Sequence, residues 1–335
     1  MSLALLPILL LATPSTITAL HTYTALSGRP TWLDSLIFCL GMQTPLTATS
    51  LNEGEYPAVA AMTTGYVFRV ENQATVMYLH RIGQTGHLTT LDVSPVFAGA
   101  NRARNGLGWY TIMYLPLIVP AHALLVRAQL ASDRFFLMST LLLLFSRLLS
   151  VASLRARTLP SWHGGAEPEV KGDLLVLLSE DRWVRMKGLV DDSKAVTSGS
   201  WLSRPRYPML CDFAEWISRF LVYIAVVVLA NATDRGKIAL VLCSFIAHGV
   251  LAVHNMLAKE LVMNGRVVKI SDAIGSVKEY PRRLVMAREL VKEMGRSDFA
   301  IRLGMINPDD AVVKEHTSDK ANSKTPELVD EVVTM

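Results

Sequence analysis

The sequence predicts an all-α fold, a polytopic transmembrane helix bundle with amphipathic cytosolic helices, and three observations predict it. Four apolar runs in the second half of the chain meet or approach the length of about 20 residues that a helix needs to cross the hydrocarbon core. Charged residues, 19% of the 335, are unevenly placed and leave those runs nearly bare, while 51% of the chain is hydrophobic. Lysine and arginine gather in one long loop and in the tail, as the positive-inside rule expects of cytosolic segments.

The runs come in order. Residues 107–126 carry no charge and stop at Arg127; Pro116 and Pro120 predict a kink there. Residues 135–154 carry one charge, Arg147. About a dozen Leu, Phe and Val residues at roughly −0.3 to −0.6 kcal/mol each outweigh a central arginine at about 2.5 to 3.5 kcal/mol, so insertion is favoured. Residues 216–232 follow, with Arg219 close enough to the end to snorkel. Residues 238–258 form the fourth run, stopped by Lys259 and Glu260.

The first 20 residues read as a transmembrane helix or signal anchor; the positive n-region of a cleaved signal peptide is missing. Residues 21–106 are polar, with weak spans around 33–48 and 56–68 broken by Asp34, Pro45 and Glu53. The loop 155–212 contains nine Lys/Arg and the tail after Ala258 thirteen, against two each in 127–134 and 231–237. That bias puts the loop and the tail 259–335 in the cytosol. It predicts about five spans, with six or seven still allowed.

Two polar stretches read as amphipathic helices. In 173–202, Trp183, Met186 and Val190 share a helical face ringed by Arg182, Arg185, Lys187 and Lys194, a pattern suited to a helix lying along headgroups. In 280–295, Leu284, Ala287, Val291 and Met294 form a stripe that Gly295 ends. Beyond Pro308 the composition predicts disorder.

Polar groups inside a bilayer face the bundle interior or a wet cavity, because lipid cannot solvate them. Ser244, His248 and Asn255 lie within about 40° of one another on a helix. Together with His122 and Arg147 they define a candidate pocket lined by His122, Arg147, His248 and Asn255; the competing reading is plain interhelical hydrogen bonding, as for the small-residue stripe Ser139, Ser146 and Ser150. Glu215, beside Trp216 at a span edge, and Asp212 are the candidate acids for proton transfer. Asn231-Ala232-Thr233 is a glycosylation sequon in a loop so short that it is expected to stay unmodified. Asp191 and Asp192 lack the repeated-aspartate pattern of magnesium–diphosphate sites, and Cys39, Cys211 and Cys243 have neither metal nor disulfide-framework spacing. No metal or cofactor is therefore expected. Alternating acids and bases give no basic block for nucleic acid. Gly28 reads as an ordinary turn residue.

The run LLSEDRWVRMKGLVDDSKAVTSGSWL (177–202) and the tail RRLVMARELVKEMGRSDFAIRLGMI (282–306) resemble signatures of a mostly uncharacterised family of fungal integral membrane proteins. The resemblance covers about the last two-thirds of the chain. Some members look like membrane proteins encoded with secondary-metabolite pathways, including those for paxilline-type indole diterpenes. This implies a role in such a pathway at the endoplasmic reticulum, as a terpene cyclase or as a scaffold for pathway enzymes, with membrane lipids and a hydrophobic terpenoid substrate as partners. A greasy polyprenyl chain partitions into lipid; Glu215 or Asp212 would then protonate it, and Trp216 and Tyr223 would shelter carbocations. A transporter is the weaker alternative, since no inverted repeat is visible.

Overall fold

The computed structural model describes residues 3–13, 17–96, 133–160, 162 and 164–308, together with residues 123 and 127. The fold is not all-α. It combines long apolar helices with an eight-stranded mixed sheet that has helices on both faces.

Three helices are long and apolar enough to cross a membrane: α4 (Arg134–Arg157), α6 (Pro208–Ala230) and α7 (Asp234–Leu257). At 1.5 Å per residue each is about 35 Å long, enough for a hydrocarbon core of about 30 Å. They contain the apolar runs 135–154, 216–230 and 238–257. The run 107–126 lies, apart from residue 123, outside the described residues, so three candidate spans stand where about five were expected. On α6 the exposed side chains Met209, Phe213, Trp216, Phe220, Tyr223 and Val227 recur every three or four residues. That unbroken apolar stripe is what lipid would cover. Phe213, Trp216 and Phe220 stack in succession, with ring centroids 6.1 and 5.5 Å apart. The N-terminal run forms a 3-10 helix, Leu3–Leu11, too short to span, whose Leu10 packs against Phe136, Val222 and Leu240 of the bundle.

The sheet is ordered β2-β1-β4-β5-β3-β7-β6, with β8 beside β3. Its strands are β1 (Ala58–Ala61), β2 (Val67–Arg69), β3 (His87–Pro95), β4 (Lys171–Leu178), β5 (Arg182–Leu189), β6 (Glu260–Met263), β7 (Arg266–Ile270) and β8 (Val277–Glu279). Only β3 and β5 are parallel. Two hairpins explain much of it. Between β4 and β5, Glu180 and Asp181 turn the chain at φ 61° and 51°. Between β6 and β7, Asn264 and Gly265 form a two-residue turn at φ 48° and 75°. Asn-Gly with two positive φ values matches the twist of flanking strands, which is why it closes hairpins.

Side chains alternate between two cores. Leu174, Val176, Leu178, Val184, Met186, Leu91 and Val93 face α3 (Gln73–Ile82), α5 (Val190–Thr197) and α1 (Ala19–Leu26). Leu175, Trp183, Leu88 and Ala60 face α8 (Arg283–Met294) and α9 (Asp298–Arg302), where Met286, Leu290 and Phe299 cover them. The expected headgroup helix over 173–202 is thus mostly the β4–β5 hairpin, with only α5 helical. Trp183 and Met186, assigned to one helical face, lie on opposite faces of the sheet. A run buried on both faces reads as continuous apolar sequence and hides its period of two.

The sheet is joined directly to the helices. α7 ends at Leu257 and β6 begins at Glu260. Tyr78 of α3 donates to the Lys259 carbonyl (2.8 Å), and Arg81 donates to the carbonyl of Asn255. Trp201 Nε1 donates to the Gly28 carbonyl (2.6 Å). Helix α1 packs Ala25 and Leu26 on the sheet core while Leu20 and Tyr23 pack against Ala247 and Leu251 of α7.

Candidate functional site

The strongest polar constellation lies where α4 and α6 meet. The two helices are antiparallel, and Ser139, Ser146 and Ser153 recur at seven-residue spacing along their seam. Ser139 Oγ donates to the Ala225 carbonyl (2.9 Å). Ser146 Oγ donates to the Ser218 carbonyl (2.7 Å), and Ser218 Oγ returns the bond to the Ser146 carbonyl (2.8 Å). Small side chains bring the backbones close and satisfy their own hydroxyls across the seam, an arrangement that needs no water. The third member of the ladder is Ser153, whereas the sequence pattern had pointed to Ser150; Ser150 instead accepts from Arg147 Nη1 (3.2 Å).

At the sheet end of this seam the ladder reaches the candidate acids. Ser153 Oγ donates to Glu215 Oε1 (2.8 Å), and Arg157 Nε lies 2.9 Å from the same oxygen. Arg157 Nη2 pairs with Asp212. One arginine, one turn beyond Ser153, therefore gathers both acids that the sequence singled out. The arrangement closes the helix ends and holds Glu215 as an acceptor. Sequence reading missed Arg157 and Ser153, although the 139-146-153 spacing was available to find them.

The other candidates lie apart. Arg147 is buried in α4 and sends Nε to the carbonyl of Asp34 (3.2 Å) in the 3-10 helix Trp32–Leu36. Asp34 is buried too; its carboxylate accepts from Thr31 N (2.8 Å) and Thr31 Oγ1 (3.0 Å). Burial raises its pKa, opposed by the Thr31 bonds and the Arg147 charge. His21, on α1, is pushed down to about 4 by burial and then by Arg147, so it is neutral at physiological pH. The Cys39 thiol is pushed up to about 11 by burial, with Arg147 opposing. Arg147 thus carries the positive charge of a buried group whose other members come from residues 21–39, which sequence reading had placed in a polar segment with a weak span around 33–48.

Asn255 Nδ2 donates to the Ala19 carbonyl (2.7 Å), fastening α7 to α1. His248 is half-buried on α7. No hydrogen bond among the described residues joins Arg147, His248 and Asn255, and His122 lies outside the described residues. Asn231 caps α6 and donates Nδ2 to the Val227 carbonyl (3.1 Å). Thr233 of the same sequon caps α7 through Gly236 N (3.2 Å), and its own N–H donates to Asp133, the residue that caps α4. The sequon is therefore part of a knot that ties three helix ends together opposite the sheet. Among the described residues no group of three or more His, Cys, Asp or Glu side chains is placed to hold a metal ion.

The fold and the junction define an apolar helical unit bearing a mixed α/β sheet domain at one end. Comparison with family profiles, curated proteins and solved structures finds no match to this chain.

Proposed function

We propose that the chain is a membrane scaffold of a fungal secondary-metabolite pathway, holding its sheet domain at the cytosolic surface of the endoplasmic reticulum to gather pathway enzymes. The setting comes from the resemblance of 177–202 and 282–306. The sidedness comes from the nine and thirteen Lys/Arg that flank the spans on the sheet side. The observation that carries the scaffold over the cyclase is the bonding of Glu215. Its Oε1 accepts from Ser153 and pairs with Arg157, so the carboxylate works as a clamp between α4 and α6. A general acid must first hold a proton, and a protonated Glu215 would give up its ion pair with Arg157. A rigid junction also suits recruitment: Tyr78 and Arg81 tie the sheet domain to the end of α7, so a bound enzyme is held at a fixed distance from the lipid.

The test is deletion of the gene in its native host, with metabolite profiling by mass spectrometry and complementation by Glu215→Gln. A scaffold predicts a lowered yield of the same metabolites and rescue within about twofold by the variant, since a neutral amide still accepts from Ser153 and Arg157 keeps its pair with Asp212. Accumulation of a linear or partly cyclised precursor, unrelieved by a membrane-inserted Glu215→Gln protein, would overturn the scaffold in favour of the cyclase.

A further inference from the structure

We propose that a collar of arginines and aromatic rings at the sheet end of the helices seats anionic phospholipid headgroups, with Arg29 and Arg155 as the phosphate-binding pair. Arg155 sits near the end of α4, where its Nη1 donates to the Pro30 carbonyl (2.6 Å) and its guanidinium carbon lies 5.0 Å over the Trp32 ring. These two contacts bring it beside the exposed Arg29, one residue before Pro30. Neither arginine is in an ion pair among the described residues. The nearest acids are committed elsewhere: Asp34 is buried with both oxygens bonded to Thr31, and Asp212 and Glu215 hold Arg157. Asp34, whose charge reaches Arg155 from below, is buried and bonded to Thr31, so the exposed side of the two like charges is open to an anion. Arg29 is close enough for its charge to act on that of Arg155.

The occupant is a lipid because the cations stand on apolar surface. Trp32 is 56% exposed and Leu33 43%, in a 3-10 helix laid along α4. At the same end of the helices, Arg204 and Arg206 are exposed ahead of α6. Arg206 lies over the Tyr207 ring (5.4 Å), and the exposed Met209, Leu210 and Phe213 continue into the stripe on α6. Rings and aliphatic side chains at the acyl boundary with guanidinium groups at the phosphate level match the layering of an anionic leaflet.

The full-length protein, reconstituted in vesicles, is titrated with brominated phosphatidylserine or brominated phosphatidylcholine while tryptophan quenching is followed; Trp32→Phe isolates the signal of that ring. The wild type is expected to prefer the anionic lipid at Trp32. At about 1 kcal/mol per surface arginine, that preference should fall roughly fivefold in Arg29→Gln and about thirtyfold in Arg29→Gln/Arg155→Gln. The exposed Arg288→Gln on α8, which changes net charge equally, should leave it intact. Arg29 makes no hydrogen bond among the described residues, so the single variant reads the site without disturbing the fold. An unchanged preference in Arg29→Gln, or an equal fall in Arg288→Gln, would overturn the proposal.

Discussion

Gly28→Ala is expected to lower stability by about 2–4 kcal/mol, the largest loss for the smallest change in the chain. Gly28 has φ +75°, and a Cβ there would meet the Val262 carbonyl oxygen at 2.2 Å, with Met263 Cα at 3.3 Å. Those neighbours are strand backbone of β6 and cannot rotate aside. The left-handed conformation costs a non-glycine residue about 1–2 kcal/mol, and overpacking a close contact adds about 1–3 kcal/mol. The same residue accepts from Trp201 Nε1, so forcing α1 away from β6 would also strand a buried indole donor. Gly54, at φ +79° with open space around its missing Cβ, is the control; Gly54→Ala should cost only the conformational part. Thermal unfolding of the purified protein distinguishes them, and equal losses at the two positions would refute the close-packing argument.

Arg185→Ala is expected to cost about 2–3 kcal/mol at neutral pH and progressively less in acid. Arg185 lies on β5 with its side chain 8% exposed, bonded through Nε and Nη2 to Asp173 (2.8 and 2.5 Å) and through Nη1 and Nη2 to Glu293 of α8 (both 2.8 Å). Removing it leaves two carboxylates facing each other. Breaking a buried pair costs about 3–5 kcal/mol, and the half-exposed Glu293 reduces that here. The hydrogen bonds from Arg185 hold the Glu293 carboxyl below its ordinary value of 4.5, despite partial burial. Its contribution is therefore fully present above about that value and is lost as pH falls through the lowered one. The variant lacks it throughout, so the gap between wild type and variant should narrow in acid. Urea unfolding at pH 7 and at pH 3 measures this; a gap that widens at pH 3 would contradict the assignment.

The long apolar helices were more legible in the sequence than the sheet, for a physical reason. A span needs about 20 contiguous apolar residues, and α4, α6 and α7 carry them with little interruption. Strands of three to nine residues give far weaker signals. β4 is apolar on both faces and β5 alternates charge with hydrophobe in a way that also suits a helix, so Trp183 and Met186 fell together on a helical projection. Asn264-Gly265 between Leu-Val-Met and Val-Val was the clearest hairpin signal in the chain and was passed over. Of the site, Glu215 and Asp212 were found as residues but not their partner Arg157, because a pairing across 55 and 58 positions exists only once α4 and α6 are antiparallel. Arg147 was conspicuous as a charge in an apolar run. Its surroundings of His21, Asp34 and Cys39 were hidden, since they reach it only through tertiary packing.

The central claim is that α6 and α7 cross the bilayer as a pair, with the sheet on one side and the Asn231 turn on the other. Two single-cysteine proteins test it directly, in a background with Cys39, Cys211 and Cys243 replaced by alanine: Asp181→Cys in the β4–β5 turn and Asn231→Cys in the α6–α7 turn. Sealed microsomes are treated with a membrane-impermeant maleimide. Residue 181 should label in intact vesicles and residue 231 only after permeabilisation; labelling of both from the same side of intact vesicles would contradict the account.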